Sequence, residues 1–181
     1  MPLRMTHGRA IRMGAPSSPG VKLGVPQKYQ QQKNWCWAAC AEMVLSYYGH
    51  VTEQCHIANW LFNQALCCTS GSSDQCDKGC QVPDVCRVYG NYGIKSAPSS
   101  GANVSFAMLQ SEISGSRPVE VGLSWRTGGS HLVIVCGWRT TSVGQYVRVN
   151  DPSSGPQSIL YTDLLAAYGV GQWTHTWIDV R

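Results

Sequence analysis

Two hydrophobic periodicities divide the chain. Through the first part, apolar residues recur at helical spacing. The run "CWAACAEMVLSYYG" (36–49) is apolar on most faces and predicts a largely buried helix, stopped by Gly49 as its C-terminal cap. Asn34 just before it suits an N-cap, which would set Cys36 in the first turn. Thr52 predicts the start of a second helix through "EQCHIANWLF". A third follows in "VPDVCRVYGNYG", with Pro83 tolerated in its first turn, and Ser105 caps a fourth through "FAMLQSEIS". From Pro118 onward the period shortens to two. "PVEVGLSW", "HLVIVCGW" and "QYVRVND" are short, β-branched and separated by Gly-rich turns such as "RTGGS". "YTDLLAAYG" reads as a short helix and "QWTHTWIDV" as a last strand. Helices first and a mostly antiparallel sheet second make an α+β fold.

The ends and the middle of the chain read differently. Residues 1–22 lack the apolar core of a signal peptide and read as a flexible leader, followed by one domain over 23–181. "VKLGVPQKYQ" is extended. "CCTSGSSDQCDKGCQ" (67–81) is a polar loop whose order has to come from its cysteines. No run approaches the length of a membrane span.

Composition narrows the function. Of 181 residues only 13% are charged, 43% are hydrophobic, and the net charge is +4. The lysines and arginines are scattered, the N-terminal Arg4, Arg9 and Arg12 excepted, so a nucleic-acid partner is not expected. Nine cysteines point to an oxidising, secreted destination, with eight of them in four bridges and one left free. Adjacent Cys67 and Cys68 are expected to take different partners.

The free thiol directs attention to "YQQQKNWCWAAC" (29–40). A thiol at a helix N-terminus is favoured as thiolate by unpaired N–H groups and the helix dipole. A thiol nucleophile needs a base, and the base needs an orienting group. Of the five histidines, His131 opens a strand apolar on both faces, hence central in the sheet. In "QYVRVNDP" the period of two places Val147, Val149 and Asp151 on one face. A hairpin through "RTTSVG" then brings Asp151 to His131. Gln30, six residues before Cys36, offers an amide that donates to an oxyanion together with the Cys36 N–H. Gln31 and Gln32 are its rivals.

These residues carry a resemblance. "QQQKNWCWAACAEMVLSYYG", "GGSHLVIVCGW", "YVRVNDPSSGP" and the ending "GQWTHTW" resemble the papain-like cysteine peptidases. The likeness is to their short bacterial branch, with the effector proteases of plant pathogens and the bacteriocin-processing peptidases, and it spans residues 25–179. It implies a papain-like α+β fold with Cys36 as nucleophile, His131 as base and then acid, Asp151 as orienting residue and Gln30 as oxyanion donor. Asn150 is a minor rival to Asp151, since papain uses Asn in that role. The resemblance further implies a monomeric peptidase acting on proteins or peptides, without cofactor, metal or membrane. Three other readings compete: a zinc site from Cys55, His56, Cys76 and Cys80; a non-catalytic disulfide-rich binding module; and the same triad used as an amidase, deamidase or transglutaminase-like enzyme. Specificity is expected from the "RTGGS" loop, the Cys-rich segment 67–81 and the aromatics beside Cys36.

Overall fold

The computed structural model describes residues 19–181. Four helices come first: α1 (Cys36–Tyr47), α2 (Gln54–Phe62), α3 (Val82–Asn91) and α4 (Phe106–Ser114). Between and before them lie two short strands, β1 (Gly20–Lys22) and β2 (Ala97–Pro98). The remainder is β3 (Val119–Trp125), β4 (Ser130–Thr141), β5 (Gly144–Asp151), β6 (Gly155–Leu160), α5 (Tyr161–Leu165), a 3₁₀ turn (Ala167–Gly169) and β7 (Gly171–Ile178). Helices therefore precede sheet, and every strand pairing is antiparallel.

Local chemistry explains most element ends. Ser105 Oγ accepts from the Met108 N–H at the start of α4, the expected cap. Asp84 accepts from the Gln81 N–H at the start of α3, and Pro83 sits in that helix's first turn. Gly49, at φ +85°, ends α1 in the left-handed conformation that glycine adopts without strain. Two expectations fail. Asn34 does not cap α1: the N-cap is Trp35, with no side-chain cap bond, because the Asn34 amide donates to the Asp77 carbonyl instead. The second helix starts at Gln54, not Thr52, whose hydroxyl meets the Tyr92 hydroxyl.

The strand order is β2-β7-β3-β4-β5-β6, with β1 also on β4. As its two apolar faces predict, β4 is central. β3 pairs with its first half and β1 with its second. One extra residue, Cys136, interrupts the β4–β5 ladder: Val135 faces Val149 while Gly137 faces Arg148. That bulge changes which residues share a face. His131, Val133 and Val135 lie on the face of Val147, Val149 and Asp151, and beyond the bulge Trp138 joins them opposite Val147. The strand β6 was not expected, because "GPQSIL" begins with Gly and Pro and pairs only at the sheet's edge. The expected leader lies, over residues 1–18, outside the described residues, but Gly20–Lys22 belong to the sheet.

The cysteines are paired less than expected. Two bridges form, Cys55–Cys68 and Cys67–Cys76, and Cys36, Cys40, Cys80, Cys86 and Cys136 are free. Four bridges are thus corrected to two. Cys40 and Cys136 are enclosed in the apolar core, where no other thiol is bonded to them. Cys67 and Cys68 do take different partners.

Candidate active site

Cys36 is the first residue of α1, and its position is fixed from both sides. Upstream, the Gln30 N–H donates to the Pro152 carbonyl at 2.9 Å, tying the approach loop to the end of β5. On the other side, the Cys-rich segment holds the turn itself. Trp35 Nε1 donates to the Cys76 carbonyl, Trp37 Nε1 to the Lys78 carbonyl, and the Asn34 N–H to the Asp77 carboxylate. Each indole is buried with its one polar atom satisfied.

His131 and Asp151 meet across the β4–β5 hairpin. His131 Nε2 donates to Asp151 Oδ1 at 2.9 Å, with the two residues only 8% and 2% exposed. With Nε2 so engaged, Nδ1 is the ring nitrogen left for the cleft. Asp151 is held from several directions. Oδ1 also accepts from the Ser153 N–H, the Ser153 hydroxyl and the Ser154 N–H, and Oδ2 accepts from the Tyr168 hydroxyl at 3.2 Å.

The electrostatics follow from these bonds. Burial works against charge on His131, but its hydrogen bonds to Asp151 and to Cys36 outweigh burial and push its pKa up to about 9. Burial likewise opposes charge on Asp151. The bond and charge of His131, with the Ser153 donors, overcome it and hold the carboxyl well below the ordinary range. At neutral pH the pair is imidazolium and carboxylate.

Cys36, His131 and Gln30 line one cleft of about 490 Å³, together with Trp37, Cys80, Trp125 and Ser153. The rivals lie elsewhere. Asn150 donates its amide to the Val25 carbonyl, and Gln32 turns its amide toward Gly71. The Gln31 N–H bonds Gln54. Gln30 itself donates from Nε2 to the Gln32 and Lys33 carbonyls, while its Oε1 is buried without a partner.

The model of the Peptidase C39-like family matches residues 22–176. The chain belongs to that family. No curated protein matches it. Among solved structures it is similar to the double-glycine-motif protease of an AMS/PCAT transporter, in complex with the leader peptide, at TM-score 0.53 and 19% identity. That likeness covers 87% of this chain and 92% of the other. The peptidase domain of Streptococcus ComA, a bi-functional ABC transporter, gives 0.61 at 13% identity over 86% and 97%. A structure from work on the mite allergens Blo t 1 and Der p 1 gives 0.54 at 11% identity over 96% and 74%. The fold of this C39-like cysteine peptidase is papain-like.

Sequence reasoning missed three residues around this candidate site. Ser153 reaches Asp151 through the turn after Pro152. Trp125 stacks on His131, ring centroids 5.9 Å apart and planes 26° apart, and its other neighbour is Tyr168 at 6.4 Å. Tyr168 reaches Asp151 only because Ala167, Tyr168 and Gly169 all take positive φ, a conformation that no periodic pattern announces. The competing zinc reading finds no open ligand set. Among the described residues the one cluster of ligand types, Cys55, His56 and Cys68, has both sulfurs in a disulfide, and Cys76 is bridged to Cys67.

Proposed function

We propose that the chain is a secreted, monomeric cysteine endopeptidase that hydrolyses peptide bonds through a thioester at Cys36. The observation that carries this reading is the 2.9 Å bond from His131 to Asp151 in the same cleft as Cys36. Asp151 orients the imidazole and stabilises its charge. In the resting imidazolium the Cys36 proton already resides on His131 Nδ1, and the thiolate attacks the substrate carbonyl carbon. The oxyanion is held by the Cys36 N–H, a donor that the helix start leaves without an intrahelical partner. Gln30 joins it by exchanging one of its two carbonyl bonds, that to Lys33, for the oxyanion. His131 then protonates the leaving amine, water attacks the thioester with His131 as base, and the acid product departs.

A peptide substrate is supported by the leader peptide bound to the similar transporter protease. Cleft walls of Trp37 and Trp125 suit an extended chain passing between aromatics. Export is supported by the two disulfides, which persist in oxidising compartments.

The test is alkylation of the unreduced protein with iodoacetamide, then peptide mapping, beside cleavage of a peptide library. We expect labelling fastest at Cys36, slowed strongly in His131→Ala, and internal peptide-bond cleavage lost in Cys36→Ala. Labelling of Cys36 no faster than of Cys86 would overturn the activated thiol. Release of ammonia from side-chain amides without chain cleavage would replace peptidase by amidase.

A further inference from the structure

Away from the cleft, the register of four strands gathers three cations on one patch of sheet. Lys22 on β1 faces Gly137 on β4, which faces Arg148 on β5, which faces Ser158 on β6. The next row of the same face runs Gly20, Arg139, Tyr146 and Leu160. By strand alternation this is the face opposite Val147, Val149 and Asp151. Without the Cys136 bulge, Gly137 and Arg139 would point to the other side.

The patch is concave. Gly137 stands between Lys22 and Arg148 in the pairing, and a Cβ there would lie 2.9 Å from both Arg148 Cβ and the Val21 carbonyl oxygen. Beside it is a cavity of about 480 Å³ lined by Lys22, Arg139, Arg148, Tyr146 and Ser158. Arg139 lies over the Tyr146 ring, 4.7 Å from its centroid, which holds that guanidinium at the rim.

Nothing among the described residues neutralises these cations. No residue lining the cavity is acidic. Among the described residues none of Lys22, Arg139 and Arg148 forms an ion pair. The sequence has no Asp or Glu before Glu42 and none from 121 to 150, so neither the residues ahead of β1 nor these strands offer a carboxylate. Among the described residues the buried Arg148 Nε has no hydrogen-bond partner. The charge reaches inward as well: Arg148 and Lys22 both lower the pKa of buried Cys136, against the burial that raises it to about 11. Three cations around one concavity with no carboxylate near them make a local positive field, and a guanidinium fork matches tetrahedral oxyanions.

We infer that the Lys22–Arg139–Arg148 cavity is a binding site for a phosphate-type oxyanion, free or carried by a lipid headgroup, separate from the peptidase cleft. Arg148 and Lys22 grip the anion from opposite sides of Gly137, Ser158 donates its hydroxyl, and Arg139 closes the rim.

The test uses the full chain at constant ionic strength. Inorganic phosphate is titrated and backbone amide shifts are followed by NMR, with potassium chloride as the matched control. Sedimentation with phosphatidylcholine vesicles, with and without phosphatidic acid, separates the two sources. We expect saturable shifts in residues 20–22, 137–139 and 146–148, or pelleting that requires phosphatidic acid. Arg148→Gln should weaken binding about tenfold or more, as loss of a charged hydrogen bond does. The exposed Lys22→Gln, which leaves the core untouched, should weaken it in the same direction. Peptide cleavage should stay unchanged in both. Saturation by phosphate assigns free phosphate, and pelleting alone assigns the lipid headgroup. Neither response, shifts equalled by chloride, or unchanged binding in both variants would overturn the site.

Discussion

Asp151 carries more hydrogen bonds than orienting one imidazole requires, and that surplus sets its behaviour. Five donors converge on its two oxygens, so the carboxylate is fixed whatever the substrate does. Asp151→Asn keeps the shape but loses the charge. It should lower kcat/KM by about a hundredfold to ten-thousandfold, as in comparable triads. It should also move the alkaline limb of the pH–rate profile. With Asp151 present, His131 loses its proton near pH 9, and kcat/KM should fall through that pH. Without the carboxylate the imidazolium is less stabilised, so the limb should shift to lower pH; a limb that stays put would detach it from His131. Tyr168→Phe removes one donor to a charged group and should reduce kcat about tenfold with little change in KM. The meeting of His131 and Asp151 was legible in sequence because strand period and a short hairpin bring them together. Tyr168 and Trp125 were not, because their contacts depend on a left-handed turn and a ring stacking that neither periodicity encodes.

At the level of elements, the polar segment after α2 does what a helix cap usually does. The start of α1 has no side-chain cap, and Asn34, Trp35 and Trp37 are instead bonded to residues 76–78. The two bridges hold that segment in place. Cys67→Ser with Cys76→Ser opens a nine-residue loop and should cost about 2–3 kcal/mol. Chemical unfolding should show that loss, with a further fall in activity at temperatures where the protein is still folded. Unchanged activity there would mean that the turn around Cys36 stands without its clamp. The sequence announced that cysteines order this segment, but not which backbone carbonyls it presents to the two indoles. Pairing was overestimated for a similar reason: a cysteine count cannot distinguish a bridge from a thiol packed as an apolar side chain, as Cys40 is.

For the molecule as a whole, the core contains a carboxyl where β3 meets α3. Glu120 is 1% exposed, accepts from the Tyr89 hydroxyl at 2.5 Å, and has its other oxygen unpaired. Burial raises its pKa from 4.5 to about 8, the Tyr89 bond acting the other way, so it is a neutral acid at physiological pH. The folded state then binds a proton that the unfolded chain has already released. Stability from this group is complete below pH 4.5 and is lost as pH rises towards 8. His131, raised from 6.5 to about 9, adds a loss in the same direction at higher pH. Thermal melts should therefore show Tm declining from mildly acidic to alkaline pH, and Glu120→Gln should flatten the part below pH 8. A decline of the same slope in that variant would assign the effect elsewhere.

The bulge at Cys136 has a genetic consequence. The strand through His131 is written in two reading phases: odd residues share the face of Val147 and Val149 before 136, and even residues share it after. What the fold needs at 136 is a count, not a cysteine. Cys136→Ala keeps the count and should fold. Deleting the codon would turn Trp138 out of its contact with Phe106 and send Arg139 into the core. The chain should tolerate almost any small letter at this position and no missing one, a difference visible in soluble yield and near-ultraviolet circular dichroism.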